Sequence, residues 1–237
     1  MNRQQTIQDL AQKLRALERT FKQASGDQLL STGIEAFDAL LPAKGIPRGT
    51  LLEWLAAGPG SGAGTLACSV ASRILCQLDG ACVVVDPAQS FYPPAAGRLA
   101  DDLERMIVIH PSNERDTWWA LEQALRCPAV AVVLGWPDRL LDHAYRRLQL
   151  AVETGGGIGL LLRSEEYRWQ PSWADIRLRI EPLPSLSQSR RLRVEVVQCR
   201  GRFSQQTVEL EINDETGDVH LASALAPATA PSRPTTA

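Results

Sequence analysis

The sequence predicts an α/β fold: a mainly parallel sheet flanked by helices, with an antiparallel extension along one edge. Three observations carry that expectation. Short apolar runs alternate with stretches of helical period between residues 50 and 163, glycine-rich turns mark the junctions, and after residue 175 the pattern becomes a strict alternation of apolar and polar residues. Strands covered on both faces read as unbroken apolar runs, and parallel neighbours need crossover helices, whereas alternating strands keep one face in water.

Taken in order, residues 2–24 carry Ile7, Leu10, Ala11, Leu14, Leu17 and Phe21 at helical spacing, and the Ala-Ser-Gly-Asp at 24–27 ends that stretch. Such a helix packs on its own domain or docks on another subunit, and the spacing alone does not choose. Residues 50–56 form a strand running into a glycine-rich turn, and residues 65–78 a helix. Residues 81–86 read as a buried strand ending in an acid, 94–104 as a helix, 106–110 as a strand and 117–126 as a helix. Residues 130–134 are a strand, 138–154 a helix with Asp138 as its N-cap, and 158–163 a strand. The alternating segments 176–180, 192–196 and 207–212 form the antiparallel extension, each with one half-exposed face. The chain thus divides into a helical segment at 1–26, a domain at 27–224 and a Pro-, Ala- and Thr-rich tail at 225–237 expected to be disordered.

Composition narrows the function. The formal net charge is −2, with none of the basic excess of a free-standing DNA binder, so any contact with nucleic acid is local or indirect. Five cysteines, an odd number without a CxxC pair, read as buried free thiols in a reducing compartment and not as metal ligands. The polar N-terminus lacks the apolar core of a signal peptide, and the longest apolar runs are too short to cross a bilayer, so a cytoplasmic protein without a membrane partner is expected.

The segment with chemical potential runs Gly58, Pro59, Gly60, Ser61, Gly62, Ala63, Gly64, Thr65. Lying between a strand and a helix, it has the context of a phosphate-binding loop, where backbone N–H groups and a helix N-terminus face an anion. The working pattern is GxxxxGK[ST]. Aligned on Gly58, the second glycine becomes Ala63, the lysine becomes Gly64, and only the Thr65 hydroxyl survives. Phosphoryl transfer depends on positioned charge, so losing that lysine removes orders of magnitude in rate. The strand at 130–135, whose end would hold Mg²⁺ through a carboxylate, ends in Gly135 and Trp136. No residue is therefore assigned a catalytic or metal-binding role, and ATP binding by the loop is doubtful; a tight turn without ligand, or weak anion binding by the backbone, are the alternatives.

The residues ahead of the loop carry a resemblance. Thr32-Gly33, Asp38, Gly45-Ile46-Pro47 and Gly49 follow the order in which the RecA and KaiC superfamily leads into its first core strand. Cys82 to Asp86 resembles the family strand that ends in Asp and continues to a catalytic Glu two residues on; Ala88 stands there instead. Arg200-Gly201 resembles the family's Lys-x-Arg-Gly, whose basic pair reaches a neighbouring subunit's phosphate; Gln198 takes the lysine position and Arg200 remains. The resemblance spans residues 28–215. Within that superfamily the degenerate loop, together with Thr117-Trp118-Trp119-Ala120 leading to Gly135-Trp136, is most similar to the ImuA family of SOS-mutagenesis accessory proteins.

The resemblance implies a RecA-like domain acting beside ImuB, a Y-family polymerase homologue, and an error-prone C-family DNA polymerase, with RecA a further candidate partner, in a complex that copies damaged DNA. Two other functions are carried: an active ATP-dependent DNA-binding protein, with Lys44 the nearby candidate to replace the missing lysine, and a SulA-like inhibitor of cell division. The residues at 163–169, including Tyr167 and Trp169, stand where RecA-like proteins often place a DNA loop, but two acids offset two arginines and a solvated loop is the simpler reading. Interface candidates are Trp118, Trp119 and Arg200; the adjacent tryptophans cannot share a helix face, so one is expected inside and the other exposed. Arg139, Arg146 and Arg147 read as a solvated basic helix face.

Overall fold

A computed structural model describes residues 29–58, 60–93, 103–137, 139–185, 189–199, 202–203, 206–213 and 218–222. The N-terminal helix, the tail, most of the predicted helix at 94–104, Asp138 and Arg200 lie outside the described residues.

The short strands β1 (Leu29–Leu30) and β2 (Ile46–Pro47) pair antiparallel and bracket helix α1 (Glu35–Leu40). Asp38 explains the spacing of the lead-in motif. Its carboxylate accepts from Ser31 Oγ at 2.6 Å and from the Thr32 N–H at 2.9 Å, closing the turn at Gly33, whose φ of 76° favours glycine.

The main sheet is built from β3 (Thr50–Ala56), β4 (Ala81–Val85), β5 (Met106–Ile109), β6 (Val130–Gly135), β7 (Ile158–Ser164), β8 (Ile176–Leu183), β9 (Arg190–Cys199), β10 (Arg202–Phe203), β11 (Thr207–Ile212) and β12 (Val219–Leu221). Its order is β12-β11-β9-β8-β3-β7-β6-β4-β5, with β10 paired to β9. Pairings from β8 through β5 are parallel, and those of β9 with β8, β10 and β11 and of β11 with β12 are antiparallel. The α/β class with an antiparallel edge is therefore present, with one refinement. The strand at 176–180, expected to belong to the antiparallel extension, runs parallel to β3 and closes the parallel half.

The alternating faces of the strands feed two cores. Cys82 and Val84 of β4 join Leu52, Trp54 and the helix α2 (Ala63–Leu75) on one face, while Val83 and Val85 join α3 (Glu114–Arg126) and α4 (Asp142–Gly155) on the other. Helix α3 begins earlier than its apolar stripe suggests because Asn113 caps it, accepting from the Asp116 N–H at 2.9 Å. Helix α4 begins later than predicted, at Asp142, without a side-chain cap at Leu141.

Beyond β8, among the described residues, helices cover only one face. Leu192, Val194, Val196, Leu210 and Ile212 join the α1/α2 core, whereas the opposite face carries an ion-pair lattice in place of helices. There Arg179 meets Glu165 at 2.6 Å and Glu181 at 2.8 Å, and Arg193 meets Glu209 at 3.0 Å. The hydrogen bond from Arg179 lowers the Glu181 pKa. Partly exposed pairs of this kind each contribute little to stability, about 0–1 kcal/mol. Among the described residues no helix is long and apolar enough to cross a membrane. The five cysteines form no disulfide, but they are not uniformly buried as expected: Cys68 and Cys82 are, Cys127 and Cys199 are half-buried, and Cys76 is exposed on the last turn after α2.

Candidate functional site

The carboxyl ends of β3, β4 and β6 lie where parallel α/β sheets place their ligands. The glycine-rich segment leaves β3 at Ala56 and enters α2 at Ala63. Gly58, Gly60 and Gly62 all take positive φ, at 122°, 73° and 82°. Two of the loop amides are used within the loop: the Ser61 N–H donates to Gly58 O at 3.3 Å and the Ala63 N–H to Ser61 Oγ at 3.4 Å. Ser61 and Ala63 are 5% and 3% exposed, so this part of the loop is covered by the protein itself. Thr65 Oγ1 accepts from Arg190 Nη2 of β9 at 3.3 Å.

The positions at which the RecA resemblance looks for charge differ in why they lack it. At Gly64 a Cβ would meet nothing closer than Leu162 Cδ2 at 4.0 Å, so packing does not forbid a side chain there. At Gly135 a Cβ would stand 2.5 Å from Leu121 Cδ2, so a side chain at the end of β6 would require the buried Leu121 of α3 to shift. Trp136 instead packs on Phe91, ring centroids 5.9 Å apart. Asp86, the surviving acid, is fully buried and serves its own turn, accepting from the Phe91 N–H at 2.7 Å and from Ser90 Oγ at 3.5 Å. Ala88 is exposed in that turn, beside Gln89 at φ 54°. Lys44 is exposed in the left-handed turn between α1 and β2.

Along the neighbouring strands the charge is inside. Glu53 of β3 is fully buried and forms ion pairs with Arg163 of β7 at 2.7 Å and Arg177 of β8 at 2.5 Å, whose side chains are 1% and 3% exposed. Ser172 Oγ bridges Glu53 Oε2 and the Tyr145 hydroxyl at 2.9 Å each. Burial, reinforced by the Glu53 charge, holds the Tyr145 phenol well above its ordinary pKa. Arg177 also donates to the carbonyls of Tyr167, Arg168 and Gln170 at 3.0–3.1 Å, fastening the 3-10 turn Glu165–Trp169 over the strand ends. Arg177 thus corrects the expectation of a half-exposed polar face on its strand. The signal for this cluster lay in Glu53, a lone acid inside the apolar run from Leu51 to Leu55.

The aromatic candidates separate in exposure. Trp119 is 63% exposed. Trp118 is half-buried, donates from Nε1 to Arg139 O at 3.0 Å and meets the His143 ring edge-on. It borders an open cavity of about 320 Å³ walled by Pro87, Pro111 and Pro137, each close behind a strand end. Trp169 is 85% exposed with Arg168 over its ring, while Tyr167 is covered by Arg163 at 4.1 Å from its centroid. Of the basic helix face, Arg146 stacks on Trp173 and Arg147 pairs with Glu122 at 2.6 Å, so both are engaged within the chain.

No protein-family model matches the chain. It is 29% identical over 193 residues to the protein ImuA of two strains of Caulobacter vibrioides, an alignment covering 73% of this chain and 79% of that protein. It is 31% identical over 106 residues to the protein RecA of Rhodopirellula baltica, covering 44% of this chain and 28% of that protein. The mainly parallel sheet with flanking helices fits the likeness to RecA. The chain is thus ImuA-like over most of its length and RecA-related over less than half of it.

Proposed function

We propose that the chain is a non-catalytic accessory protein of SOS-induced translesion synthesis, which uses its RecA-like fold as a scaffold for an error-prone polymerase assembly. The observation that carries this reading is the state of the three strand ends. ATP·Mg²⁺, the cofactor implied by the RecA resemblance, asks for a lysine on its β- and γ-phosphates, a carboxylate near the metal and a carboxylate to orient water. This chain offers Gly64, Gly135 and Ala88 at those places, and Asp86, the buried acid just past the end of β4, is engaged in its own turn. The residues present do not fit that group. Site chemistry has gone while the sheet that would position it is kept, which is how a scaffold behaves.

Its partners in this reading are the ImuB-type Y-family polymerase homologue and the C-family polymerase, with DNA reached through them. The exposed Trp119 and Trp169 suit interface anchors, since a large rigid ring adds contact area at small cost in entropy. Affinity capture of the full chain from cells after DNA damage tests the proposal. Recovery of the Y-family homologue is expected; recovery of a tubulin-like division protein in its place would favour the SulA-like alternative and refute this one.

A further inference from the structure

We infer that the start of β9 closes the glycine loop from within, with Arg190 standing at Thr65 where a working loop of this kind places a divalent cation. The inference rests on the reading of a loop without phosphate chemistry and says what the loop does instead.

The burial of the loop and two contacts from β9 argue for it. A phosphate cradle has to present its amides, yet Ser61 and Ala63 are buried and two of the amides already bond within the loop. Leu192, 1% exposed, lies on the loop so closely that a Cβ at Gly62 would come within 2.9 Å of its Cδ2. Two residues earlier on the same strand, the Arg190 guanidinium donates to Thr65 Oγ1 at 3.3 Å. That oxygen is the one the GxxxxGK[ST] pattern reserves for Mg²⁺. A guanidinium cannot be deprotonated at ordinary pH, so a metal ion approaching the hydroxyl would meet a fixed like charge.

The closure is part of the sheet and not a separate flap. Arg190 is in register with Ile212 of β11, and Arg191 with Leu183 of β8, so β9 is held on both sides as it crosses the loop. The antiparallel edge, which a minimal parallel α/β core does not need, thereby packs on the loop at Gly62 and Thr65.

The test is hydrogen exchange of the full chain, read at the amides of residues 61–66 and of β6 as the internal reference, with and without inorganic pyrophosphate and Mg²⁺. Arg190→Ala is expected to speed exchange at 61–66 by about threefold to tenfold, the loss expected of one charge-assisted hydrogen bond in a partly exposed setting, and to leave β6 unchanged. Thr65→Val should speed exchange there in the same direction, and the double variant should fall short of the sum of the two, because both remove the bond between Arg190 and Thr65. Wild-type exchange should not respond to pyrophosphate. Unchanged exchange in Arg190→Ala would overturn the inference, as would an equal rise in β6, which reports general loosening. Protection of 61–66 by pyrophosphate in the wild type that disappears in Arg190→Ala would overturn it too, by making Arg190 a phosphate ligand. Failure of the accessory role shows in the capture experiment and leaves these exchange rates as they are.

Discussion

The carboxyl end of β3 and the interior of the same strand, only a few residues apart, treat charge in opposite ways. At the strand end the glycine loop has lost its lysine, and the surviving hydroxyl accepts from the chain's own Arg190. In the interior, Glu53 keeps a carboxylate in a fully buried position with two guanidiniums around it. Gly64, Gly135 and Ala88 stand where the RecA resemblance looks for charge on a ligand, while Glu53, Arg163 and Arg177 hold one segment to another. Asp86 makes the same point on β4, where a strand-end acid has become the lock of its own turn.

Removing Glu53 should break this contrast most severely. Glu53→Gln leaves two buried guanidiniums without a counter-charge, and a loss of about 3–5 kcal/mol in urea unfolding is expected. A loss below about 1 kcal/mol would mean that the triad is not the structural ionic cluster described above. Arg177→Met sharpens the contrast by sparing the Glu53–Arg163 pair while cutting the three carbonyl bonds to the turn. It should cost about 2–4 kcal/mol and expose residues 165–170 to proteolysis before the rest of the domain opens.

Two glycines of the loop should respond differently to the same change. Gly62→Ala places a side chain at φ 82° and against Leu192, and about 1–3 kcal/mol of destabilisation is expected in thermal unfolding. Gly64→Ala lies in the first turn of α2 with room for its Cβ, so stability should stay within about 1 kcal/mol of the wild type and tend upward. Equal effects at both positions would contradict the closure of the loop by β9.

The smallest effects are alkaline. Burial pushes the Cys68 thiol up to about 12 from an ordinary 9.0. A folded pKa above the unfolded one favours the protonated form in the fold, so this contribution is complete below about pH 9 and is lost as pH rises towards 12. Tyr145 adds a loss of the same sign above its ordinary value of 10.0. The urea midpoint should be flat from about pH 7 to 9 as far as these two groups are concerned and fall above it, with Cys68→Ala softening the fall. At neutral pH a thiol reagent should label Cys76 in the folded chain and spare Cys68.

Much of the fold was legible because apolar periodicity is a local signal. The strands and their alternation with helices follow from runs such as Val130 to Gly135, and the loop's position follows from its glycines. Helix starts were less legible. The N-cap at Asn113 lies outside the apolar stripe that announces α3, and the late start of α4 has no capping side chain to mark it. The parallel course of β8 was hidden because alternation reports one wet face and not strand direction. The ionic cluster was missed for a different reason: Glu53, Arg163 and Arg177 come from three strands, and only the sheet order brings them together. The lost lysine at Gly64 could be read directly, whereas the steric reason for Gly135 needed the position of Leu121, and the partner of Thr65 needed β9.

The central claim, that this RecA-like fold no longer runs phosphoryl transfer, is tested most directly by steady-state ATP hydrolysis of the purified full chain with Mg²⁺, with and without single-stranded DNA. Release of phosphate at the buffer rate, unaltered by Thr65→Ala, is predicted. Mg²⁺-dependent turnover that Thr65→Ala abolishes would contradict the account.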